Sequence, residues 1–153
     1  MLVGLEDQAT ASVVATAAAH LAMEQDASAL LVLHVLDTYS VVGALLDLSG
    51  GTGPALDTGE EQEALLALAE AALRAEYGAR DRPVPVITRM VRAGAPAAVI
   101  AQVAEDVGAA MIVVGARRPH VFGRRVHSDV RAALTAGTTA PVHVVSLQAQ
   151  TPG

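Results

Sequence analysis

The sequence contains no cysteine and no lysine among its 153 residues, and it contains no tryptophan. Without cysteine, the chain has no disulfide framework, no thiol chemistry and no cysteine-ligated zinc site. Without lysine, it lacks the side chain that a Walker A loop places on phosphates and the amine that Schiff-base chemistry requires. These absences exclude several common enzyme mechanisms before any motif is considered.

Aromatic residues and positive charge are also scarce. Aromatic residues make up 2% of the chain, and the formal net charge is −6 at pH 7. So few aromatic rings cannot form a stacking platform for single-stranded nucleic acid, and a net negative charge disfavours general binding to a phosphate backbone. We therefore expect no nucleic-acid partner.

The chain also lacks an apolar run that is long enough to span a membrane. The uncharged stretch at 8–23 is shorter than the roughly 20 residues that a spanning helix needs. No basic segment precedes the first apolar run, so the sequence predicts neither a signal peptide nor a membrane partner. With 52% hydrophobic and 17% charged residues, we expect a cytoplasmic globular domain over residues 1–147 and a flexible C-terminal tail over 148–153.

Apolar runs alternate with helical patterns along the whole chain. Strands are predicted at 2–5, 29–36, 83–91, 111–114 and 142–147, and helices at 10–23, 58–77, 97–107 and 128–136. Such alternation is typical of the α/β class, with a single doubly wound, five-stranded parallel sheet. Because Pro83 and Pro85 cannot donate ladder hydrogen bonds, the third strand is expected at an edge of that sheet, or its start at the rim.

A long segment without a clear pattern connects the second strand to the second helix. Its glycines, at 50–59, indicate a loop that is either a plain connection or a lid. The helix that follows opens with a capping box at 58–61 and is expected to bury a face that includes Leu68. Gly78 is predicted to end this helix.

Four arginines cluster directly after the fourth apolar run. Arg117, Arg118, Arg124 and Arg125 all follow closely after Gly115. Ligands of open α/β sheets bind where loops leave the carboxyl ends of strands, so we expect this loop to form one wall of a ligand site. Its guanidinium groups could hold a phosphate or another anion through bidentate contacts. They could equally be a solvated basic surface on an acidic protein, and the sequence leaves both interpretations open.

Two further residues fit a site at this edge, and each also has a purely structural interpretation. Glu6 follows the first predicted strand, where it is either a ligand contact or a carboxylate at the rim. Ser128 opens the fourth predicted helix as its N-cap, as a hydrogen-bond donor to a ligand, or as both.

The histidines do not form a recognised metal site. His120 and His127 lie seven residues apart around the arginine loop, which is not a recognised metal-ligand spacing, so no bound metal is expected. His34 falls in a buried run and is expected to be a hydrogen-bonded core residue, and His20 is expected to be structural. His143 lies in the last strand and could titrate at a subunit interface.

Five segments, in order and at matching spacing, resemble the universal stress protein family. They are Leu-Val-Gly-Leu-Glu-Asp at 2–7, Leu-His-Val-Leu-Asp at 33–37, Gly-x-Pro-x-x-x-Ile at 94–100, the run at 107–117 that contains Met-Ile-Val-Val-Gly-Ala-Arg, and Ala-Pro-Val-His-Val-Val at 140–145. The resemblance covers nearly the whole chain. It implies strand order 3-2-1-4-5 in an adenine-nucleotide alpha-hydrolase-like fold, and a homodimer that pairs through the last strand around Val142, Val144 and Ser146.

Members of this family that bind ATP resemble one another in the pattern Gly-x-x-Gly-x9-Gly-(Ser/Thr) after the fourth strand. Glycines there let backbone N–H groups approach the phosphates, and the hydroxyl adds a donor at a helix N-terminus. Aligned on Gly115, this chain has Arg118, Ser128 and Asp129 at the other three positions. A carboxylate about 4 Å from a phosphate charge costs roughly 4 kcal/mol at an effective dielectric of 20, which weakens binding by about 10³. We therefore expect a degraded ATP motif, in which arginines could replace the lost donors.

The resemblance implies a dimeric regulatory module without robust catalysis. Glu6 stands where the family's first-strand aspartate contacts the ribose or adenine side of the nucleotide. ATP, another adenine nucleotide or another small anion is then expected at the carboxyl ends of strands one and four, held by Glu6, Gly115, Arg117, Arg118, Ser128 and Asp129.

Two alternative functions remain open. The same fold could be a nucleotide-free interaction protein with a degenerate pocket, which the broken glycine pattern favours. It could also be a slow ATP hydrolase, which would require Mg²⁺ and a positioned water. Glu6 and Asp129 could coordinate that metal, but the sequence offers no evident base. The hydrolase is therefore the less favoured alternative.

Overall fold

A computed structural model provides the structure of the protein, and it describes residues 1–37, 59–117 and 130–147. Strands and helices alternate through these ranges, as the sequence predicts. They are β1 (Leu2–Leu5), α1 (Gln8–Glu24), β2 (Ala29–Asp37), α2 (Gly59–Ala79), β3 (Val86–Gly94), α3 (Pro96–Asp106), β4 (Ile112–Arg117), α4 (Val130–Gly137) and β5 (Val142–Leu147). The predicted helix start at Ser128, the predicted tail at 148–153 and all of the predicted loop at 50–59 except Gly59 lie outside the described residues. Gly59 is the first residue of α2.

The five strands form one parallel sheet in the order β3-β2-β1-β4-β5, which confirms the predicted fold class and strand order. β1 is central, and all four of its residues are buried, as expected for a strand that is covered on both faces. Leu5 pairs with His34 on β2, and Gly4 pairs with Val114 on β4. β2 and β3 lie on one side of β1, whereas β4 and β5 lie on the other, so the direction in which successive strands are added reverses at β1. In open α/β sheets, ligands bind beside such a switch point.

Helices cover both faces of the sheet. On one face α1 and α2 pack over a core that includes Val3, Val14, Leu73 and Val113. On the other face α3 and α4 pack over Leu2, Leu33, Ile100, Ile112 and Leu134. Residues of β1 alternate between these two cores because successive strand side chains point to opposite faces.

The start of α1 differs from the prediction for a reason that the structure shows. Asp7 is the N-cap of the helix, and its Oδ1 accepts a hydrogen bond of 3.0 Å from the backbone N–H of Thr10. The Thr10 hydroxyl lies 3.1 Å from the same oxygen. An aspartate N-cap places the first helical turn before Thr10, so the predicted start at Thr10 was too late.

Two predictions about α2 were wrong. Gly78 does not end the helix, which continues to Ala79; the turn after it uses Asp81, a non-glycine residue with a positive φ of 50°. The backbone N–H of Arg82 then returns to the carbonyl of Tyr77 at 3.0 Å. Leu68 is 43% exposed rather than part of the buried face, which runs instead along Leu65, Leu66, Ala69, Leu73 and Tyr77.

The prolines before β3 have the expected consequence. β3 is an edge strand that begins at Val86, so both Pro83 and Pro85 precede its ladder. Proline has no backbone N–H, and a position outside the ladder removes the cost of that missing donor. Within the described ranges, no helix is both long enough and apolar enough to cross a membrane.

Candidate functional site

A crevice of about 250 Å³ opens at the carboxyl end of β1. It is lined by Glu6, Asp7 and Gln8 from the turn into α1, and by Glu61 and Leu65 from the first turns of α2. This position is on the carboxyl edge of the sheet, the edge at which ligands of open α/β sheets bind. The fold therefore places a concave surface at the carboxyl end of β1, one of the two strands at whose ends the sequence analysis expects a ligand.

Two hydrogen bonds help to position the walls of this crevice. Asp7 is fixed by its N-cap contact with Thr10. Gln8 Nε2 lies 3.5 Å from the backbone oxygen of Glu61 and so links the starts of α1 and α2. Leu65 is 4% exposed and belongs to the core on this face, whereas Glu6 and Glu61 are exposed. The crevice thus combines an apolar residue anchored in the core with a polar rim.

The rim of the crevice is rich in hydrogen-bond acceptors. Three carboxylates, those of Glu6, Asp7 and Glu61, line a small volume together with one amide side chain, that of Gln8. Carboxylates accept hydrogen bonds from hydroxyl and amino groups and repel anions. This part of the edge suits sugar hydroxyls or a base amino group, and a phosphate group would be repelled from it.

Gly115 lies inside β4 and not at its end. The prediction that this strand ends before Gly115 was wrong, because β4 continues to Arg117 and pairs with β5 over its whole length. A Cβ atom on Gly115 would lie 2.9 Å from Val14 Cγ2 and 2.9 Å from Leu147 Cδ1. The close packing of α1 and β5 therefore favours glycine at this position, independently of any ligand.

The structure brings some of the predicted site residues to one edge. Glu6 lines the crevice, and Arg117, the last residue of β4, follows Gly115 on the strand that neighbours β1. Arg118, Ser128 and Asp129 lie outside the described residues. So do four other residues that the sequence analysis placed in or beside the same loop, namely His120, Arg124, Arg125 and His127.

Sequence reasoning missed most of the residues that line the crevice. Asp7 was not predicted as an N-cap, although an aspartate before a helical pattern is a typical N-cap signal. Gln8 and Glu61 are 53 residues apart in the chain, and no local pattern indicates that they meet. Their proximity is a product of the strand–helix packing and not of either segment alone.

His34 supports the end of β1 from the neighbouring strand. The side chain is buried, and its Nδ1 lies 3.1 Å from the carbonyl oxygen of Leu5. Because a carbonyl only accepts, Nδ1 is the donor in this contact. The predicted hydrogen-bonded core histidine is confirmed, and it anchors the residue that immediately precedes Glu6.

His20 lies at the partly exposed contact between α1 and α2, which agrees with the structural role predicted for it. Its Nε2 is 2.8 Å from Glu76 Oε2 and 2.9 Å from Arg80 Nη2. The hydrogen bond between His20 and Glu76, and a second one that Arg80 donates to the same carboxylate, lower the pKa of the Glu76 carboxyl. In the described part of the chain, no three histidine or acidic side chains are grouped so that they could hold a metal ion.

These observations define a class of protein: an open, doubly wound α/β domain with a crevice at the carboxyl end of its central strand. The family model of the universal stress proteins matches residues 1–146. The chain therefore belongs to the universal stress protein family. No curated protein is similar enough in sequence to count as a match.

Solved structures of universal stress proteins share the fold. One from Archaeoglobus fulgidus superposes with a TM-score of 0.63 at 20% identity, over 94% of this chain and 95% of that chain. A structure of the universal stress protein from the same organism in complex with dAMP gives 0.60 at 20% identity, over 94% of each chain. A universal stress protein in complex with cAMP gives 0.60 at 15% identity, over 97% of this chain and 98% of that chain. At these identities the likeness shows the fold alone.

Proposed function

We propose that this protein is a dimeric regulatory module that binds an adenine nucleotide, or another small anion, at the carboxyl ends of β1 and β4. The observation that carries the proposal is the crevice of about 250 Å³ at the carboxyl end of β1, lined by Glu6. Two universal stress proteins of the same fold are described as complexes with adenine nucleotides, dAMP and cAMP. The family and the position of the crevice together support this ligand class.

The distribution of charge suggests how such a nucleotide is oriented. Acceptors dominate the crevice at β1, and they match the donors of a nucleoside, namely its sugar hydroxyls and its base amino group. The cationic donors begin with Arg117, the last residue of β4, and continue with Arg118 after it in the sequence. We place the nucleoside against Glu6 and the phosphates against the arginines, with Ser128 as a hydroxyl donor and Asp129 as the element that weakens phosphate binding.

One observation favours the alternative of a nucleotide-free interaction protein. Gly115 is the single residue of the family's phosphate pattern that this chain retains, and packing against Val14 and Leu147 already accounts for it. Its retention is therefore no argument for a phosphate cradle. In this alternative, function resides in contacts with a second copy or a partner, and the crevice holds no nucleotide.

We place the dimer contact on β5. This strand is at an edge of the described sheet, and His143 and Ser146 on it are exposed while Val142 and Val144 are half-buried. An exposed edge strand can pair with a second copy of itself. A last-strand dimer uses this surface and leaves the crevice at β1 open.

Titration calorimetry with ATP tests the nucleotide proposal. Protein stripped of nucleotide is titrated with and without Mg²⁺ at two salt concentrations. We expect saturable binding that weakens at higher salt, and a loss of about tenfold or more in Arg118→Ala, since a charge-assisted contact to phosphate is lost. Arg74→Ala removes the same charge from the outer surface of α2 and should leave the affinity unchanged. No heat at millimolar ATP would instead support the nucleotide-free alternative.

A comparison of adenosine with ATP tests the two halves of the proposed site separately. Adenosine presents the sugar and base without phosphate, so Glu6→Ala should weaken adenosine and ATP by a similar factor. Arg118→Ala should weaken ATP and leave adenosine unchanged. Equal effects of both variants on both ligands would contradict the proposed orientation.

A further inference from the structure

One side of the β3 backbone has no neighbouring strand. β3 pairs with β2 from Val86 to Gly94, and within the described residues no strand lies on its other side. The backbone N–H of Val86 donates to the carbonyl of Ser28, so Val86 and every second residue after it face β2. The backbone groups of the residues between them point outward, namely those of Ile87, Arg89, Val91 and Ala93. This edge is therefore a template for one further strand.

The outward side of β3 is accessible and unusually long. β3 has nine residues, whereas strands in globular proteins most often have about five or six. Val86 is 69% exposed, and Thr88, Arg92 and Ala93 are exposed as well. Native proteins usually keep a free edge strand short, because a long one invites another strand to pair with it. The length and the exposed valine favour an edge that receives a partner.

Arg92 is an exposed cation on this edge that lacks an acidic partner in the described part of the chain. Arg89, by contrast, is paired with Glu63 and Glu70 on α2. Arg92 Nη1 instead donates to the backbone carbonyl of Val91 at 3.0 Å. This carbonyl is one of the outward groups, so the guanidinium occupies an acceptor that an added strand needs. A carboxylate binds a guanidinium more strongly than a neutral carbonyl does, so it would draw Arg92 away and free the carbonyl.

A second copy of β3 does not fit this edge. The strand contains two arginines and no acidic residue between Val86 and Gly94. If β3 paired with itself, the arginines of both copies would lie on adjacent strands, and like charges placed there destabilise a sheet. The charge of this edge therefore calls for a different strand, one that carries a carboxylate.

We propose that β3 binds an extended acidic segment of another protein by strand addition, with one carboxylate of that segment paired to Arg92. Backbone hydrogen bonds to the outward groups supply affinity, and the ion pair selects an acidic partner over a neutral one. At roughly 3.3 Å per residue, the edge from Val86 to Arg92 spans about 20 Å, so a segment of about seven residues covers it. The nucleotide crevice lies at the carboxyl end of β1, so this surface is independent of the proposed nucleotide function.

Capped seven-residue peptides of alternating threonine and valine are suitable probes. Two versions carry one glutamate near either end, because the added strand can run in either direction, and glutamine replaces the glutamate in the matched controls. Each peptide is titrated into ¹⁵N-labelled protein. We expect saturable amide shifts along β3, with a glutamate peptide bound about twofold to fivefold more tightly than its glutamine control, the effect of one exposed ion pair. No saturable shift along β3 with any peptide would overturn the proposal.

Amide hydrogen exchange distinguishes strand addition from a contact of side chains alone. The outward N–H groups of Ile87, Arg89 and Val91 should become protected when the glutamate peptide is bound. The N–H groups of Thr88 and Met90 face β2 and should be protected with and without peptide. Protection of the outward groups in the free protein would mean that the chain or a second copy already covers this edge, and it would contradict the proposal.

Arg92→Glu is the decisive variant, because it reverses the charge at an exposed position and leaves the backbone of the edge in place. It should invert the preference, so that the glutamate peptide binds less tightly than the glutamine control and a lysine peptide binds most tightly. Arg131→Glu is the matched control, since Arg131 is an exposed arginine on α4, which packs against β5 at the opposite edge. It should keep the preference for glutamate. An unchanged preference in Arg92→Glu, or the same change in both variants, would overturn the assignment.

Discussion

The structure gives a packing reason for glycine at position 115, which the family pattern alone does not reveal. The sequence assigns it to a phosphate-binding pattern, whereas the structure places it between Val14 on α1 and Leu147 on β5. Both methyl groups would lie within 3 Å of an added Cβ, which real side chains essentially never allow. Because packing is sufficient to explain this glycine, Gly115 does not support the nucleotide proposal. The residues that support it are Glu6 and the arginines at and after the end of β4.

Gly115→Ala should therefore destabilise the protein by about 1–3 kcal/mol, the usual cost of overpacking a well-filled interior. Gly78→Ala is the matched control, because a Cβ there meets nothing within 4 Å in an exposed position on α2. Alanine is the better helix former, so this variant should gain about 0.5–1 kcal/mol. Urea unfolding measures both, and a neutral Gly115→Ala would contradict the packing explanation.

Glu105 provides a pH-dependent contact between α3 and the turn before β5. Its Oε1 accepts from the Thr138 hydroxyl at 2.7 Å and from the Thr139 backbone N–H at 3.2 Å, and these hydrogen bonds lower the pKa of the carboxyl. A lowered folded-state pKa stabilises the protein above the unfolded pKa. That contribution is lost as the pH falls through the folded pKa.

Thr138→Val should raise the pKa of Glu105 toward its ordinary value, as measured by ¹³C NMR of the carboxyl carbon. The stability difference from wild type should shrink as the medium becomes more acidic, because both forms then carry a protonated carboxyl. Thr135→Val is the control, since the Thr135 hydroxyl bonds only to backbone oxygens of its own helix in the described structure. An unchanged pKa in Thr138→Val would contradict the assignment.

At the scale of elements, most of the fold follows from local patterns. The apolar runs identify the central strands, and the prolines at 83 and 85 identify β3 as an edge strand. Boundaries are less predictable because they depend on caps and on packing. Leu68 is apolar and regularly spaced, yet it faces solvent, because the buried stripe of α2 follows its contacts with α1 and not its composition alone.

The N-cap of α1 is one such boundary, and it also shapes the crevice. Asp7→Ala should destabilise the protein by about 1 kcal/mol, because the backbone N–H of Thr10 loses its acceptor. Asp7→Asn keeps an acceptor oxygen and should lose much less. Chemical denaturation distinguishes the two, and equal losses would show that charge, and not capping, is what Asp7 supplies.

At the scale of the whole molecule, the location of the site could be predicted but its composition could not. Parallel strands bring Glu6 and the end of β4 to one edge, and the sequence order alone implies this. The contribution of Glu61 depends on how α2 packs against α1, which no local pattern encodes. Glu6 could therefore be predicted from the sequence, whereas Glu61 could not, because its place in the crevice depends on long-range packing.

The proposed dimer is also a property of the whole molecule. Ser146→Arg places a bulky charge on the edge strand β5 and should convert a dimer to a monomer, as measured by light scattering after size exclusion. Thr88→Arg makes the same change on β3, the opposite edge strand, and should leave the mass unchanged. A monomeric wild type, or dissociation caused equally by both variants, would contradict pairing through β5.

The nucleotide that we propose binds at the carboxyl edge of the sheet, beside β1 and β4. The most direct measurement is an ATP titration of ¹⁵N-labelled protein that follows every backbone amide. We predict saturable shifts at Glu6, Gln8 and Arg117, with the amides of Ser28 and Val84 at the amino edge unchanged. Shifts confined to the amino edge, or no shifts at millimolar ATP, would contradict the claim.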